Sequence, residues 1–301
     1  MRTFEELELL VKNSRPGRIA VAAAHDDHVL ESVNAVCRLG YAKAILIGDK
    51  EKIFNCADKL GIDLSGMDIV KELDPKACAA QAVNMVNNGD ADILMKGNLQ
   101  TADLLRAVLA REQGLRNDQL LSHIGLYELP SYHKLLLVTD AGINISPDLQ
   151  QKAQIIRNAV SVAQRLGNKT PKVAVLSAVE LVNPSMQATI DAAALTLMAK
   201  RGQISGCLID GPLAMDNAID SQAAKQKHII SDVAGDADIL LAPDIESGNI
   251  LVKSLVFLAQ ARSCGIITGA RVPLVVTSRA ESSEAKYYAI LLALALLEQG
   301  R

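Results

Sequence analysis

The hexapeptide GDADIL occurs twice, at residues 89–94 and 235–240, each time joining a helical pattern to an apolar run. Gly-Asp ends a helix, and a short run of branched apolar residues makes a strand buried on both faces. Such a strand needs parallel neighbours and helices packed over the sheet, so the repeat points to α/β architecture. Two origins account for the recurrence: internal duplication, or the regular return of helix–turn–strand junctions in such a fold. Either way, the residues after each copy ("MKGN" and "LAPD") leave a strand at its C-terminal end, where open parallel sheets bind ligands.

The rest of the chain keeps the same rhythm. Apolar runs at 18–24, 43–49, 172–177, 207–211 and 272–278 alternate with helical patterns at 28–40, 75–89, 101–114, 184–201, 214–228, 247–265 and 282–299. Residues 122–140 break it, with two apolar runs separated by Pro-Ser-Tyr-His, the pattern of a hairpin. A long helix follows, with Ser146 as its N-cap and Pro147 at its first position. The domain hinge is expected at 142–147.

Several function classes are poorly served by this chain. A net charge of −3 with 3% aromatic residues gives neither a basic footprint nor stacking platforms for nucleic acid. The N-terminal stretch is charged and amphipathic, not a signal peptide, and the apolar run at 289–297 is too short to span a bilayer. The five cysteines are dispersed and never paired as CxxC, which suits small buried side chains in a reducing cytoplasm. No GxGxxG, GxxxxGK[ST] or GxSxG motif is present.

The polar residues gather in five segments that each follow an apolar run and precede a helix: 94–106, 139–148, 210–218, 242–255 and 275–284. They set Lys, Arg, Ser, Thr, Asn and Asp beside glycines and helix N-termini, a combination suited to phosphate or acyl phosphate. "DGPLAMDNA", "PDIESGNILVKSL" and "PLVVTSR", with "LMKG" and "TDAGINISPDL" in support, resemble the phosphate acetyl/butyryltransferase family over nearly the whole chain. The compact length and "TDAGINISPDL" look more like the butyryl branch.

The resemblance implies two α/β domains with largely parallel sheets flanking a cleft, similar to isocitrate and isopropylmalate dehydrogenases. Residues 1–143 plus 271–301 would form one domain and 144–270 the other. It implies interconversion of acyl-CoA plus phosphate with acyl phosphate plus CoA, with coenzyme A as substrate and no separate cofactor. It also implies a homodimer or higher homo-oligomer. On the matched motifs, Arg279 would hold the phosphoryl group and Ser278 would hydrogen-bond the reacting carbonyl. The acetyl branch has an aspartate a short way beyond that pair; here the stretch offers Glu281 and Glu284, and Glu284 is taken as the candidate base. Lys96, Thr101, Arg106, Asp210, Asp244, Asn249 and Lys253 are the candidate substrate-binding residues. Lys96 suits phosphate or carbonyl, and Arg106 suits either an anion or a solvated helix face. Asp210 and Asp216 suit helix capping or a metal ion, with no His or Cys beside them. Phosphate acetyltransferase is the alternative within the family. A metal- and NAD-dependent dehydrogenase of similar fold, or a non-catalytic acyl-CoA-binding protein, are the alternatives outside it.

Overall fold

The structure, a computed structural model, describes residues 1–278 and 280–297. In chain order its elements are α1 (Phe4–Lys12), β1 (Gly17–Ala22), α2 (Asp27–Arg38), β2 (Ala42–Gly48), α3 (Lys50–Leu60), β3 (Asp68–Lys71), α4 (Pro75–Asn87), β4 (Ile93–Lys96) and α5 (Thr101–Val108). There follow β5 (Ser122–Glu128), β6 (Leu136–Thr139), α6 (Leu149–Arg165), β7 (Lys172–Leu176), α7 (Gln187–Lys200), β8 (Leu208–Leu213), α8 (Met215–Ile219), α9 (Ser221–Gln226), β9 (Ile239–Leu241) and α10 (Ile245–Phe257). The chain closes with β10 (Arg262–Thr268), β11 (Leu274–Val275) and α11 (Ser283–Ala295). The α/β class with largely parallel sheet is as the sequence indicated.

Two compact units divide the chain. The first takes Glu5–Gln119 and the stretch from Cys264 onward, and its strands run β3-β2-β1-β4-β11-β10. All its pairs are parallel except β10–β11. The second takes Met1–Phe4 and Leu120–Ser263, with strands in the order β5-β6-β9-β7-β8 and only β5–β6 antiparallel. The divide therefore falls at Leu120 and Cys264 instead of at residues 144 and 271. The reason is pairing: β5 is laced to β6, and β6 lies in register with β9, with Leu137 opposite Ile239.

The twin hexapeptides do one job twice. Gly89 follows the end of α4 at φ +78°, whereas Gly235 lies in a turn nine residues past the end of α9 at φ +82°, so only the first copy ends a helix; both stand in a region that glycine enters without a Cβ penalty. The second aspartate of each copy then clamps a residue at the start of a neighbouring strand. Asp92 accepts from the Arg18 amide at 3.0 Å and returns its own amide to the Arg18 carbonyl at 2.8 Å. Asp238 repeats this with Lys172, at 2.8 Å in both directions. The clamps sit at the strand starts, so the copies align the sheets and leave the opposite ends for other use.

In the second unit this clamp is elaborated. Asp236 takes ion pairs from Lys172 at 2.7 Å and Lys134 at 2.8 Å, and its carboxylate contacts His133 Nε2 at 3.0 Å. Burial opposes its ionisation, yet hydrogen bonds and charge from the two lysines outweigh that and draw the carboxyl down to about 2. Because the folded value lies below the ordinary one, the stabilisation is complete above pH ~4 and is lost as the pH falls toward 2. Wild-type protein should thus lose thermal stability over that interval more steeply than Asp236→Asn. Parallel acid limbs in scanning calorimetry would contradict this.

Local differences from the sequence reading have physical causes. The cap of α6 is Asp148, not Ser146: its carboxylate accepts from the Gln151 amide while the Gln151 side chain accepts from the Asp148 amide, a full capping box. Helix α5 stops at Val108 because the buried Leu115 folds back and its amide takes the Val108 carbonyl. The helix expected over 214–228 is broken at Asp220, which turns extended and caps α9 through Gln222.

Candidate active site

In the first unit, β1, β4 and β11 end side by side. Register sets Lys96 opposite Ala22, and Val275 opposite Met95, so Thr277 and Ser278 lie just past the end of β11. The chain leaving β4 closes over β1, with the Gly97 and Asn98 amides donating to the Ala22 and Ala23 carbonyls at 2.8 and 2.7 Å. Lys96 is 4% exposed, and its ammonium donates to the Gly97 and Leu99 carbonyls at 3.2 and 3.4 Å. Thr277 is buried too, and its hydroxyl has no partner among the described residues. The imidazole of His25, just beyond β1, is held below its usual pKa by burial and then by the Lys52 charge, against Asp49 and Asp26.

Ser278 itself is exposed. Its Oγ accepts from the Ala280 amide at 3.3 Å, which occupies a lone pair and leaves the hydroxyl proton to donate elsewhere. Its carbonyl accepts from the Glu281 amide at 3.2 Å, which closes a turn between Ser278 and Glu281. Arg279, the other half of the Ser-Arg pair, lies outside the described residues. Glu284 is exposed in the first turn of α11, whose N-cap Ser282 accepts from the Ala285 amide at 3.2 Å. Thr101 opens α5 and is exposed. Arg106 lies farther along the same helix with its side chain 69% exposed, and pairs with Asp103 at 2.6 Å. That is the geometry of a solvated helix face.

In the second unit the chain leaving β6 winds around Asp140. This buried carboxylate accepts from the amides of Gly142, Ile143 and Asn144 and from the Asn144 side chain, the last at 2.6 Å. Helix α10 docks on that loop. Gly248 lets it approach, since a Cβ there would stand 2.8 Å from the Asp140 carbonyl oxygen. Asn249 donates to the Ala141 carbonyl at 3.3 Å. Asp244 is the N-cap of α10 and accepts from the Ser247 amide and hydroxyl at 2.8 and 2.7 Å. Burial opposes its ionisation, but those bonds and the Lys152 charge hold it below the usual carboxylate range.

Asp244 and Asn249 are thus brought together with the 139–148 segment. Lys253 lies one turn past Asn249 and is exposed. Asp210 is not in this cluster: β7 separates its strand from β9, and its carboxylate accepts from the Gly211 amide at 2.9 Å. Asp216 pairs with Lys227, which also holds Glu180. No three His, Cys, Asp or Glu among the described residues are placed to hold a metal ion.

Three further buried charges, beyond Asp140 and Asp238, were not singled out from sequence. Lys152 on α6 and Asp191 on α7 form an ion pair at 2.6 Å, and the Gln187 amide takes the other carboxylate oxygen at 2.8 Å. Lys286, early in α11, donates to the Ser278 and Glu281 carbonyls. The signal that could have found two of them is positional. Lys152 stands at i−3, i−4 and i−7 from the buried Ile155, Ile156 and Ala159, and Lys286 stands likewise from Ala289, Ile290 and Ala293. Both lie on the apolar stripe of their helices.

Comparison with known proteins agrees with the motifs. Residues 76–294 match the family described as "Phosphate acetyl/butaryl transferase". A protein of Bacillus subtilis (strain 168) named "Probable phosphate butyryltransferase" is 48% identical over 283 residues, covering 93% of each chain. The "Phosphate acetyltransferase" of Thermotoga maritima is 44% identical, covering 95% of this chain and 98% of its own. Among solved structures, a branched-chain phosphotransacylase from Enterococcus faecalis V583 superposes with a TM-score of 0.85 at 33% identity, over 94% of this chain and 99% of that one. A 4-hydroxythreonine-4-phosphate dehydrogenase from Klebsiella pneumoniae, at TM-score 0.57 and 14% identity over 93% of this chain and 99% of that one, shares the fold alone. No helix among the described residues is long and apolar enough to cross a membrane.

Proposed function

Because the chain belongs to the phosphate acetyl/butyryltransferase family, and so interconverts acyl-CoA plus phosphate with acyl phosphate plus CoA, we propose that the end of β11 is where this transfer is catalysed and that a four-carbon acyl group is preferred. The observation that carries the site is the placement of Ser278, with its hydroxyl proton free to donate, at the same strand ends as the buried ammonium of Lys96.

In the direction of acyl-CoA synthesis, the CoA thiolate attacks the carbonyl carbon of the acyl phosphate. The carbon–sulfur bond forms, the bond from that carbon to the phosphate oxygen breaks, and phosphate departs with the electron pair. Ser278 donates to the carbonyl oxygen as it gains charge. Arg279 balances the phosphoryl group with charge-assisted hydrogen bonds, and Lys96 supplies a second fixed positive charge. Glu284 receives the thiol proton, which must leave because thiolate is the nucleophile. Thr101, Arg106, Asp210 and Lys253 remain candidates for holding substrate. Asn249 contributes by fixing the 139–148 loop through its bond to Ala141, and Asp244 by capping the helix that carries Asn249. No acyl-enzyme forms on this route.

Free thiols at all five cysteines suit a cytoplasmic setting. Exposed Ile250 and Phe257 on α10 offer apolar surface for a homo-oligomer.

A CoA-release assay with a thiol reagent tests the reading. Acyl-CoA should release CoA only when phosphate is added, whereas a non-catalytic acyl-CoA binder would release none. The relatives carry butyryl and acetyl names at similar identity, so chain length needs its own measurement. Two extra buried methylenes are worth about 1.6 kcal/mol, or roughly fifteenfold in kcat/KM for butyryl-CoA over acetyl-CoA. An equal or higher kcat/KM for acetyl-CoA would remove the chain-length proposal and leave the reaction intact.

A further inference from the structure

Helix α11 buries a lysine in its first turn. Lys286 is 2% exposed, and its Nζ donates to the Ser278 carbonyl at 2.9 Å and to the Glu281 carbonyl at 2.8 Å. Both partners are neutral. Glu281 and Asp26 reach the ammonium only through space, and burial outweighs them, holding it below the ordinary lysine value. A buried ammonium with no carboxylate bonded to it is a costly choice for stability, and an apolar side chain of similar length would fill the space more cheaply. The charge therefore calls for a use other than packing.

Its bonds indicate that use. The Ser278 carbonyl also accepts the Glu281 amide, closing a turn between Ser278 and Glu281. Lys286 grips the first and last carbonyls of that turn. It does so from a helix whose residues Ala289 to Leu294 are buried and which packs against α2 and β11, so the grip is anchored in rigid structure.

We propose that Lys286 is a positioning residue for acyl transfer: by clamping the Ser278 and Glu281 carbonyls it fixes the turn that presents the Ser278 hydroxyl to the reacting carbonyl. The inference rests on the assignment of the reaction to Ser278. A misaimed oxyanion donor loses its contribution to the transition state while ground-state binding of CoA and phosphate, made elsewhere, is little changed.

The test compares Lys286→Met, Lys286→Gln and Lys286→Arg in the full-length protein, by CoA release with butyryl-CoA and phosphate and by thermal unfolding. Lys286→Met should fold with a Tm at or above wild type and lose about thirtyfold or more in kcat, with both KM values within about threefold. Lys286→Arg, which can still donate to both carbonyls, should recover at least about a third of the lost logarithm of rate. In a Ser278→Ala background, Lys286→Met should cost at least about threefold less than in wild type, because the two act as one unit. Should Lys286→Met fail to fold, Lys286→Gln is held to the same criteria. A kcat within about threefold of wild type in a folded variant, or equal losses with and without Ser278, overturns the proposal. If Ser278→Ala itself leaves kcat intact, the assignment of the site fails instead.

Discussion

Ser278→Ala is expected to lower kcat by about 10²–10³-fold, the loss seen when one oxyanion donor is removed, equivalent to roughly 2.7–4 kcal/mol. The expectation follows from where the proton of the hydroxyl can go. The Ala280 amide already donates to Oγ, so the oxygen is held from behind and the O–H is left for a substrate oxygen. The effect should fall on kcat and on kcat/KM alike, since the bond strengthens only as charge develops on the carbonyl oxygen. Ser278→Ala truncates an exposed side chain, so the fold should be unaffected, and thermal unfolding checks that. A variant that turns over within about threefold of wild type would move the chemistry away from this strand end.

The largest expected effect on stability comes from the second unit. Asp191→Leu leaves the Lys152 ammonium buried beside an apolar side chain and strips the Gln187 amide of its acceptor. Removing one partner of a buried pair typically costs about 3–5 kcal/mol, because the charge left behind has lost its compensation. The double variant Lys152→Met with Asp191→Leu should regain most of that loss, as paired burial of two charges gains little over good apolar packing. Denaturant midpoints of the three proteins decide the matter. A single variant that costs less than about 1 kcal/mol would mean that water reaches the pair. Lys152 also lies close enough to lower the pKa of Asp244, so the double variant, which removes that charge, is expected to loosen the α10 cap slightly, whereas Asp191→Leu leaves it in place.

The sequence made the alternation of strands and helices legible because each central strand is a run of apolar residues, and it located the segments that leave their C-terminal ends. Elements without such a run escaped it. Strand β3 reads Asp-Ile-Val-Lys and is half-exposed at the edge of its sheet, so nothing marks it as buried. Strand β10 opens with Arg262 and Ser263 and was absorbed into the preceding helical pattern. The α6 cap was recoverable: Asp148 and Gln151 have the spacing of a capping box, and Ser146 competes only if the Pro147 preference is weighed alone. Of the candidate site, the Ser-Arg pair and the Lys96 strand end were readable from motif and position. Lys286, Lys152 and Asp191 were not, because a lone charge in a helix is ordinarily solvated and only tertiary packing shows which helix face is covered. The places of Lys152 and Lys286 on apolar stripes were the one trace left in the sequence.

The interrupted course of the first unit has a consequence for how the protein is made. Chains fold as they emerge, N-terminal segments first. Strands β1 to β4 are synthesised early, but the neighbour of β4 on its other side is β11, which follows the whole of the second unit. Until β11 arrives, β4 is a bare apolar edge of the kind that recruits stray strands. The nascent chain therefore carries an adhesive sheet through the synthesis of a whole unit, and a ribosome that stalls between Leu120 and Ser263 releases a sticky product. The residue assigned to the chemistry comes three positions after the strand that seals this edge, so a chain that has not yet closed its sheet has no catalytic serine to offer.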